Sequence, residues 1–187
     1  FSHVAHELIW FLSGARTVDY LRDTNVPTWK HWTPHPNYRA LGHPVGDLGP
    51  VYGPQWTAWR TRDGGQVNQI ANLIDDLCNK QYSKRLLVTA WNPEDLDSVS
   101  VAPCHVMFKC YVAHGALSLH VFQRATDAYI GLPYNIASYA LLLHMLGQVT
   151  GLVPYELIHT SSDAHIYTIN IDAARLQLTR SPKPKPR

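Results

Sequence analysis

Residues 104–149 read CHVMFKCYVAHGALSLHVFQRATDAYIGLPYNIASYALLLHMLGQV, and the pattern changes character part-way along. Cys104 to Val112 and Ala116 to Gln123 have strand length and composition. His114-Gly115 lies between them, so the pair predicts a hairpin. Asn135 to Val149 is nearly all apolar and too long for a strand, which predicts a helix buried on most sides. Asn135 at the start of that helix is expected first of all as its N-cap. A hairpin followed by a buried helix is not a βαβ rhythm. The class expected is α+β, with a mixed β-sheet and packed helices.

The flanking sequence agrees. Leu8, Ile9, Phe11 and Leu12 make a helical stripe that Gly14 stops. A short helix is expected near Thr17 to Arg22. Trp29 to Pro50, rich in Pro and Gly, reads as a long loop. Val67, Ile70, Leu73, Ile74 and Leu77 recur at helical spacing. Leu86 to Trp91 reads as a buried strand, and Glu156 to Thr160 and His165 to Asn170 as further strands. The 187 residues fit one domain. Phe1 enters at once into a helix and Ser181 to Arg187 is an extended Pro/Lys tail. We therefore expect residues 1–187 to be one catalytic core whose N- and C-terminal parts lie beyond this sequence.

Composition narrows the function. Sixteen Lys and Arg against 14 Asp and Glu leave a net charge of +2, too balanced for a nucleic-acid-coating protein. No apolar run reaches the roughly 18–20 residues of a membrane span. Cys78, Cys104 and Cys110 are odd in number and form no CxxC pair, so neither a disulfide framework nor a metal site is expected. A reducing, cytoplasmic setting fits them. Eleven His and 6 Trp are a surplus of residue types that often sit in sites.

Several positions carry chemistry-bearing side chains. Cys104-His105 offers a nucleophilic thiol, although an isolated pair of this kind is ordinarily a structural cysteine. Arg124 at a strand end can hold a phosphate and lower a nearby thiol. Asn135 carries a donor and an acceptor that can read a pyrimidine edge. His165 and Tyr167, on one strand face, could bond a sugar hydroxyl. Ser83-Lys84-Arg85 is a basic cluster of the kind usually found on a surface. Glu7 is a carboxylate inside an apolar helix, a setting that raises a pKa when buried.

None of these decides alone; their order does. The chain runs His6-Glu7-Leu8-Ile9-Trp10-Phe11-Leu12, Trp29, Trp32, Gly46-Asp47-Leu48-Gly49-Pro50-Val51-Tyr52-Gly53-Pro54-Gln55-Trp56 and Ala90-Trp91-Asn92. Ala102-Pro103-Cys104-His105, Gln123-Arg124, Gly131-Leu132-Pro133-Tyr134-Asn135-Ile136-Ala137-Ser138-Tyr139 and Asp163-Ala164-His165-Ile166-Tyr167 follow. This series resembles the thymidylate synthase family over essentially the whole chain, with a Trp32–Gly46 loop that looks longer than usual.

The resemblance implies a thymidylate synthase-like fold, dimeric through its sheet. It also implies transfer of a one-carbon unit from the co-substrate 5,10-methylenetetrahydrofolate to carbon 5 of a pyrimidine nucleoside monophosphate. Cys104 matches the nucleophile that adds to carbon 6, with His105 beside it. Glu7 matches the carboxylate that orders water and moves protons at the base, and Tyr52 the tyrosine that helps remove the carbon-5 proton. Arg124 matches a phosphate-binding arginine near the thiolate. Lys84 and Arg85 match a pair that crosses into the partner's site, which implies a homodimer. Asn135 matches the base reader, and His165 and Tyr167 the sugar-hydroxyl pair. Asp127, Gly131, Trp29 and Trp32 match the folate side.

Three departures from the family pattern matter. Ala125 stands for the usual Ser after the arginine. It removes a phosphate contact worth about 1–2 kcal/mol and opens room beside the sugar. Lys84 stands for Arg, and Ser161-Ser162 for Gly-Gly. All three are expected near the sugar and phosphate. The reading that follows is hydroxymethylation of CMP or dCMP, in which water captures the exocyclic methylene. Methylation of dUMP by a thymidylate synthase is the alternative, mildly favoured by the retained Trp29. A nucleotide-binding protein without turnover is the alternative from another class.

Overall fold

The computed structural model describes residues 1–29, 32, 40 and 42–184. Much of the 29–50 loop, including most of its Trp32–Gly46 part, and the last three residues of the tail lie outside them. The helices are α1 (Ser2–Leu12), α2 (Asp19–Asp23), α3 (Tyr52–Thr57), α4 (Gln69–Asn79), α5 (Gly131–Thr150) and α6 (Ile171–Leu178). The strands are β1 (Trp59–Arg60), β2 (Gln66–Val67), β3 (Leu87–Thr89), β4 (His105–Ala113), β5 (Ala116–Gln123), β6 (Thr126–Asp127), β7 (Val153–Ser161) and β8 (Ala164–His165).

The principal sheet has the order β3-β4-β5-β7. β3, β4 and β5 are antiparallel neighbours, while β7 joins β5 in parallel. The mixed α+β class is therefore the one observed. The predicted hairpin closes through His114 and Gly115, with φ of 50° and 78°. Two consecutive left-handed residues make the turn whose twist suits a two-residue hairpin loop. α5 is the crossover that returns the chain for the parallel pairing, and it ends on Gly151 in the left-handed region.

Alternation in β4 and β5 sends Phe108, Cys110, Val112, Leu117, Leu119 and Val121 into the core. That inner face packs against Leu142, Leu143 and Leu146 of α5, with Leu8, Phe11, Trp56 and Leu77 completing the core. The outer face is different: Leu87, Met107, Tyr111 and Ile158 are exposed. A cavity of about 570 Å³ opens there among Lys109, Tyr111, His120, Glu156 and Ile158.

Several expectations are corrected. α5 begins at Gly131, four residues early, because Gly131 and Pro133 fit a first turn where a missing N–H costs nothing. Asn135 is therefore a second-turn residue, and the N-cap is Ile130. α5 is also buried along one face only, with Ile136, Met145 and Val149 exposed. Val67 pairs with Trp59 in a small hairpin, so the amphipathic helix starts after it. The second helix is shifted to Asp19–Asp23, and the Leu86–Trp91 strand shortens to Leu87–Thr89. Beyond His165 the chain leaves the sheet for a 3-10 turn at Thr168–Asn170 and then α6. Tyr167 is therefore not on a strand.

Candidate active site

Cys104 immediately precedes β4, an interior strand of the principal sheet, and is half-buried. Tyr52 opens α3 and lies against α1, its ring 4.7 Å from that of Phe11. Gly53 permits the approach, since a Cβ there would stand 2.8 Å from the Phe11 carbonyl oxygen. The Tyr52 hydroxyl accepts the Cys104 backbone N–H at 2.8 Å and so lies beside the cysteine. Burial pushes the Tyr52 phenol far above its ordinary range, and the neighbouring thiol adds to the shift. Tyr52 is therefore a neutral hydroxyl able to pass a proton either way.

Arg124 fastens the segment that carries the cysteine. Its Nε donates to the Pro103 carbonyl at 3.0 Å and its Nη2 to the Ala102 carbonyl at 2.8 Å. The guanidinium lies 5.5 Å from the Trp91 ring centroid, within cation–π range. Burial pushes the Cys104 thiol up, and the Arg124 charge pulls it back down. Among the described residues, two of the five guanidinium donors go to those carbonyls. That leaves donors for an anion.

Glu7 lies on the buried face of α1. Its Oε1 accepts from Trp29 Nε1 at 2.7 Å and from Thr28 Oγ1 at 3.2 Å. Burial raises the carboxyl, and these two bonds partly offset the rise. A carboxyl raised in this way can both hold and release a proton nearer neutral pH than an exposed one. His105 is buried, its ring 5.0 Å from Tyr52 and 5.3 Å from Tyr139. Burial depresses its pKa to about 3, so the imidazole is neutral across the physiological range. Its Nδ1 is buried with no hydrogen-bond partner among the described residues.

Asn135 Oδ1 accepts from Gln123 Nε2 at 3.0 Å. The β6–β8 pairing sets Asp127 directly opposite His165. Asp127 takes the backbone N–H groups of Tyr129 and Gly131, at 3.1 and 3.3 Å, and so steadies the start of α5. His165 and Tyr167 meet edge to face at 5.2 Å, a contact made although Tyr167 stands outside the strand. Ala125 lies half-buried between Arg124 and β6. The Ser161 hydroxyl donates to Thr126 Oγ1 at 2.7 Å, so this departure is absorbed between strands.

Lys84 and Arg85 lie elsewhere. Lys84 lines a hollow with Tyr82 and residues 111–114, at the hairpin end of β4. The eight steps of β4 separate that end from His105, the neighbour of Cys104, by roughly 27 Å. Trp29 is buried in the aromatic core, its ring 5.1 Å from Trp10 and 5.9 Å from Tyr52. Trp32 is a partly buried neighbour of the same core. Thr28, Trp91, Gln123 and His159 are the contributors that residue-by-residue reading missed as participants.

A family model described as thymidylate synthase matches residues 1–187, the whole chain. The chain belongs to the thymidylate synthase family. That membership makes it a one-carbon transferase, acting at carbon 5 of a pyrimidine nucleotide with methylenetetrahydrofolate as co-substrate. Among the described residues, no helix is long and apolar enough to cross a membrane.

Proposed function

We propose that this member of the thymidylate synthase family hydroxymethylates carbon 5 of a cytidylate, CMP or dCMP. Cys104 Sγ adds to carbon 6 of the base, which gives carbon 5 the electron density of an enamine. Bound methylenetetrahydrofolate supplies a one-carbon unit at the oxidation level of formaldehyde. Carbon 5 bonds to that carbon, and its proton leaves toward Tyr52 and the water that Glu7 orders. Loss of tetrahydrofolate leaves an exocyclic methylene. Water adds to it and Cys104 is expelled, restoring the ring. The sum is CMP, methylenetetrahydrofolate and water giving hydroxymethyl-CMP and tetrahydrofolate, with no net oxidation or reduction.

The observation that carries the substrate reading is Ala125. It sits next to the phosphate-binding candidate Arg124 and presents a methyl group where a hydroxyl is usual. A lost acceptor and added space favour a sugar that brings its own hydroxyl, so a ribonucleotide is the preferred form. His165 and Tyr167 take the 3′-hydroxyl, Asn135 the base and Arg124 the phosphate. Trp29, Trp32, Asp127 and Gly131 form the folate side. The active unit in this reading is a cytoplasmic homodimer, with residues 1–187 as its catalytic core. The exposed outer sheet face, with Met107, Tyr111 and Ile158, supports a partner there. The distance of Lys84 and Arg85 from their own Cys104 supports their delivery to the partner's phosphate.

Methylation of dUMP is the second reading, and Trp29 held by Glu7 favours it. Release of tritium from carbon-5-labelled CMP, dCMP and dUMP, each with methylenetetrahydrofolate, separates the readings. Release from CMP or dCMP above dUMP is expected. Release from dUMP alone supports the second reading, and release from none removes the enzyme readings in favour of nucleotide binding without turnover.

A further inference from the structure

Asp95, in the 3-10 turn Pro93–Ser98, is 4% exposed. The chemistry described above does not use it. Three side chains donate to its carboxylate. Gln55 Nε2 and Asn92 Nδ2 reach Oδ2 at 2.7 and 2.9 Å, and Arg60 Nη2 reaches Oδ1. A buried charge without such partners would be costly, so the three bonds go with the burial.

Two of the three donors belong to elements that lead to Cys104. Gln55 stands three residues past Tyr52 on α3 and is 3% exposed. Its Nε2 also donates to the carbonyl of Pro50, two residues before Tyr52, at 2.9 Å. A carboxylate and a main-chain carbonyl only accept, so both hydrogens of this NH2 group are committed. Together they fix the entry of α3. Asn92 follows Trp91, whose ring lies 5.5 Å from the Arg124 guanidinium. Asn92 Oδ1 takes the Glu94 N–H at 3.2 Å, so this amide too is held at both ends. Asp95 Oδ2 is therefore the point where the two elements meet. One continues through Tyr52 to the Cys104 N–H. The other continues through Trp91 and Arg124 to the Pro103 and Ala102 carbonyls.

A thiol that must meet a ring carbon loses rate steeply when it is misplaced by even about 1 Å. We infer that the Asp95 carboxylate is a positioning residue for Cys104, holding the Tyr52 side and the Trp91–Arg124 side of the thiol in register through Gln55 and Asn92. It touches no substrate and acts through these two amides. Arg60 differs from the other donors. Its side chain is 63% exposed and belongs to the small β1–β2 hairpin, so it steadies the carboxylate and leads nowhere near Cys104. The inference rests on the reading above that Cys104 is the nucleophile.

The test compares wild type, Asp95→Ala and Asp95→Asn in two measurements. One is alkylation of Cys104 by iodoacetamide across pH, followed at that residue by peptide mass because Cys78 is also exposed. The other is tritium release from carbon-5-labelled CMP, dCMP and dUMP with methylenetetrahydrofolate. In Asp95→Ala, kcat should fall about tenfold or more, with a smaller change in the nucleotide KM. The pH midpoint of alkylation should rise, because the Arg124 charge pulls the thiol down and a displaced Arg124 does so less. Asp95→Asn should recover most of both. Its oxygen can still take Gln55 and Asn92, and the exposed Arg60 can turn to water. A wild-type kcat and alkylation profile in Asp95→Ala, with only the melting temperature lowered, would mean a merely structural role and would overturn the inference. So would an Asn variant as impaired as the Ala variant. If Asp95→Ala does not fold, Gln55→Met cuts the α3 link alone and should raise the alkylation midpoint in the same way; an unmoved profile overturns the inference. Wild type that releases tritium from none of the three nucleotides overturns the function reading, and the alkylation arm, which needs no nucleotide, still decides the positioning role. Tritium release in wild type with an unmoved profile in Asp95→Ala overturns the positioning role alone.

Discussion

Cys104, Tyr52, Glu7 and Trp29 make a floor in which the acting groups are bonded to one another and largely buried. Ala125, Ser162, His165 and Tyr167 form a rim that is half-buried or exposed. The floor keeps the residues expected of the thymidylate synthase family, and the departures gather at the rim and at Lys84. A buried, mutually bonded set tolerates little change, since each loss leaves a partner unmet. A rim can exchange one contact for another at the scale of a single hydrogen bond. Under the proposed function the reaction belongs to the floor and the choice of substrate to the rim.

The sharpest way to break this contrast is Cys104→Ser. If the floor carries the reaction, tritium release from carbon 5 falls by about 10³-fold or more, while nucleotide binding persists. Full activity would remove Cys104 as nucleophile. Next is Glu7→Gln, for which kcat should fall by about 10²-fold or more with a smaller change in KM.

The same variant separates activity from stability. The Glu7 carboxyl is raised by burial, so the folded state binds its proton more tightly than the unfolded chain does. Its contribution is fully present below the ordinary carboxyl range and is lost as pH rises through the raised value. Glu7→Gln should therefore unfold at a higher temperature than wild type at neutral pH. The difference should shrink toward pH 4, as scanning calorimetry would show. A difference that grows on acidification would contradict a raised Glu7.

Rim changes should be smaller. Ala125→Ser should move the ratio of kcat/KM for ribo- over deoxycytidylate toward the deoxy form by about tenfold. An unmoved ratio would detach substrate choice from position 125. Lys84→Arg should lower the nucleotide KM by about threefold and leave kcat nearly unchanged, because a fork replaces a point charge on a phosphate. An equal drop in kcat would place Lys84 in the chemistry instead.

The hairpin and the core of α5 were legible because their patterns are local. His114-Gly115 announces its turn, and alternation in β4 and β5 follows from one buried face. Local signals misled at the start of α5, where Asn135 read as the N-cap but Gly131 and Pro133 fill the first turn. α6 has no buried residue, so it offered no apolar period to read. In the site, the order of motifs made Cys104, Glu7, Tyr52 and Arg124 visible as candidates. The Gln123–His159 contact joins residues 36 apart and exists only because β7 pairs with β5 in parallel. No spacing rule reports that pairing. Ser161 was legible as a departure, but its bond to Thr126 was not, since that depends on two strands brought together in space.

The most direct test of the division between floor and rim is the mass of the product formed from CMP and methylenetetrahydrofolate, run beside dCMP and dUMP. A cytidylate that gains the elements of CH2O, with tetrahydrofolate recovered, is the predicted result. A methyl group gained by dUMP alone, with dihydrofolate formed, would contradict it.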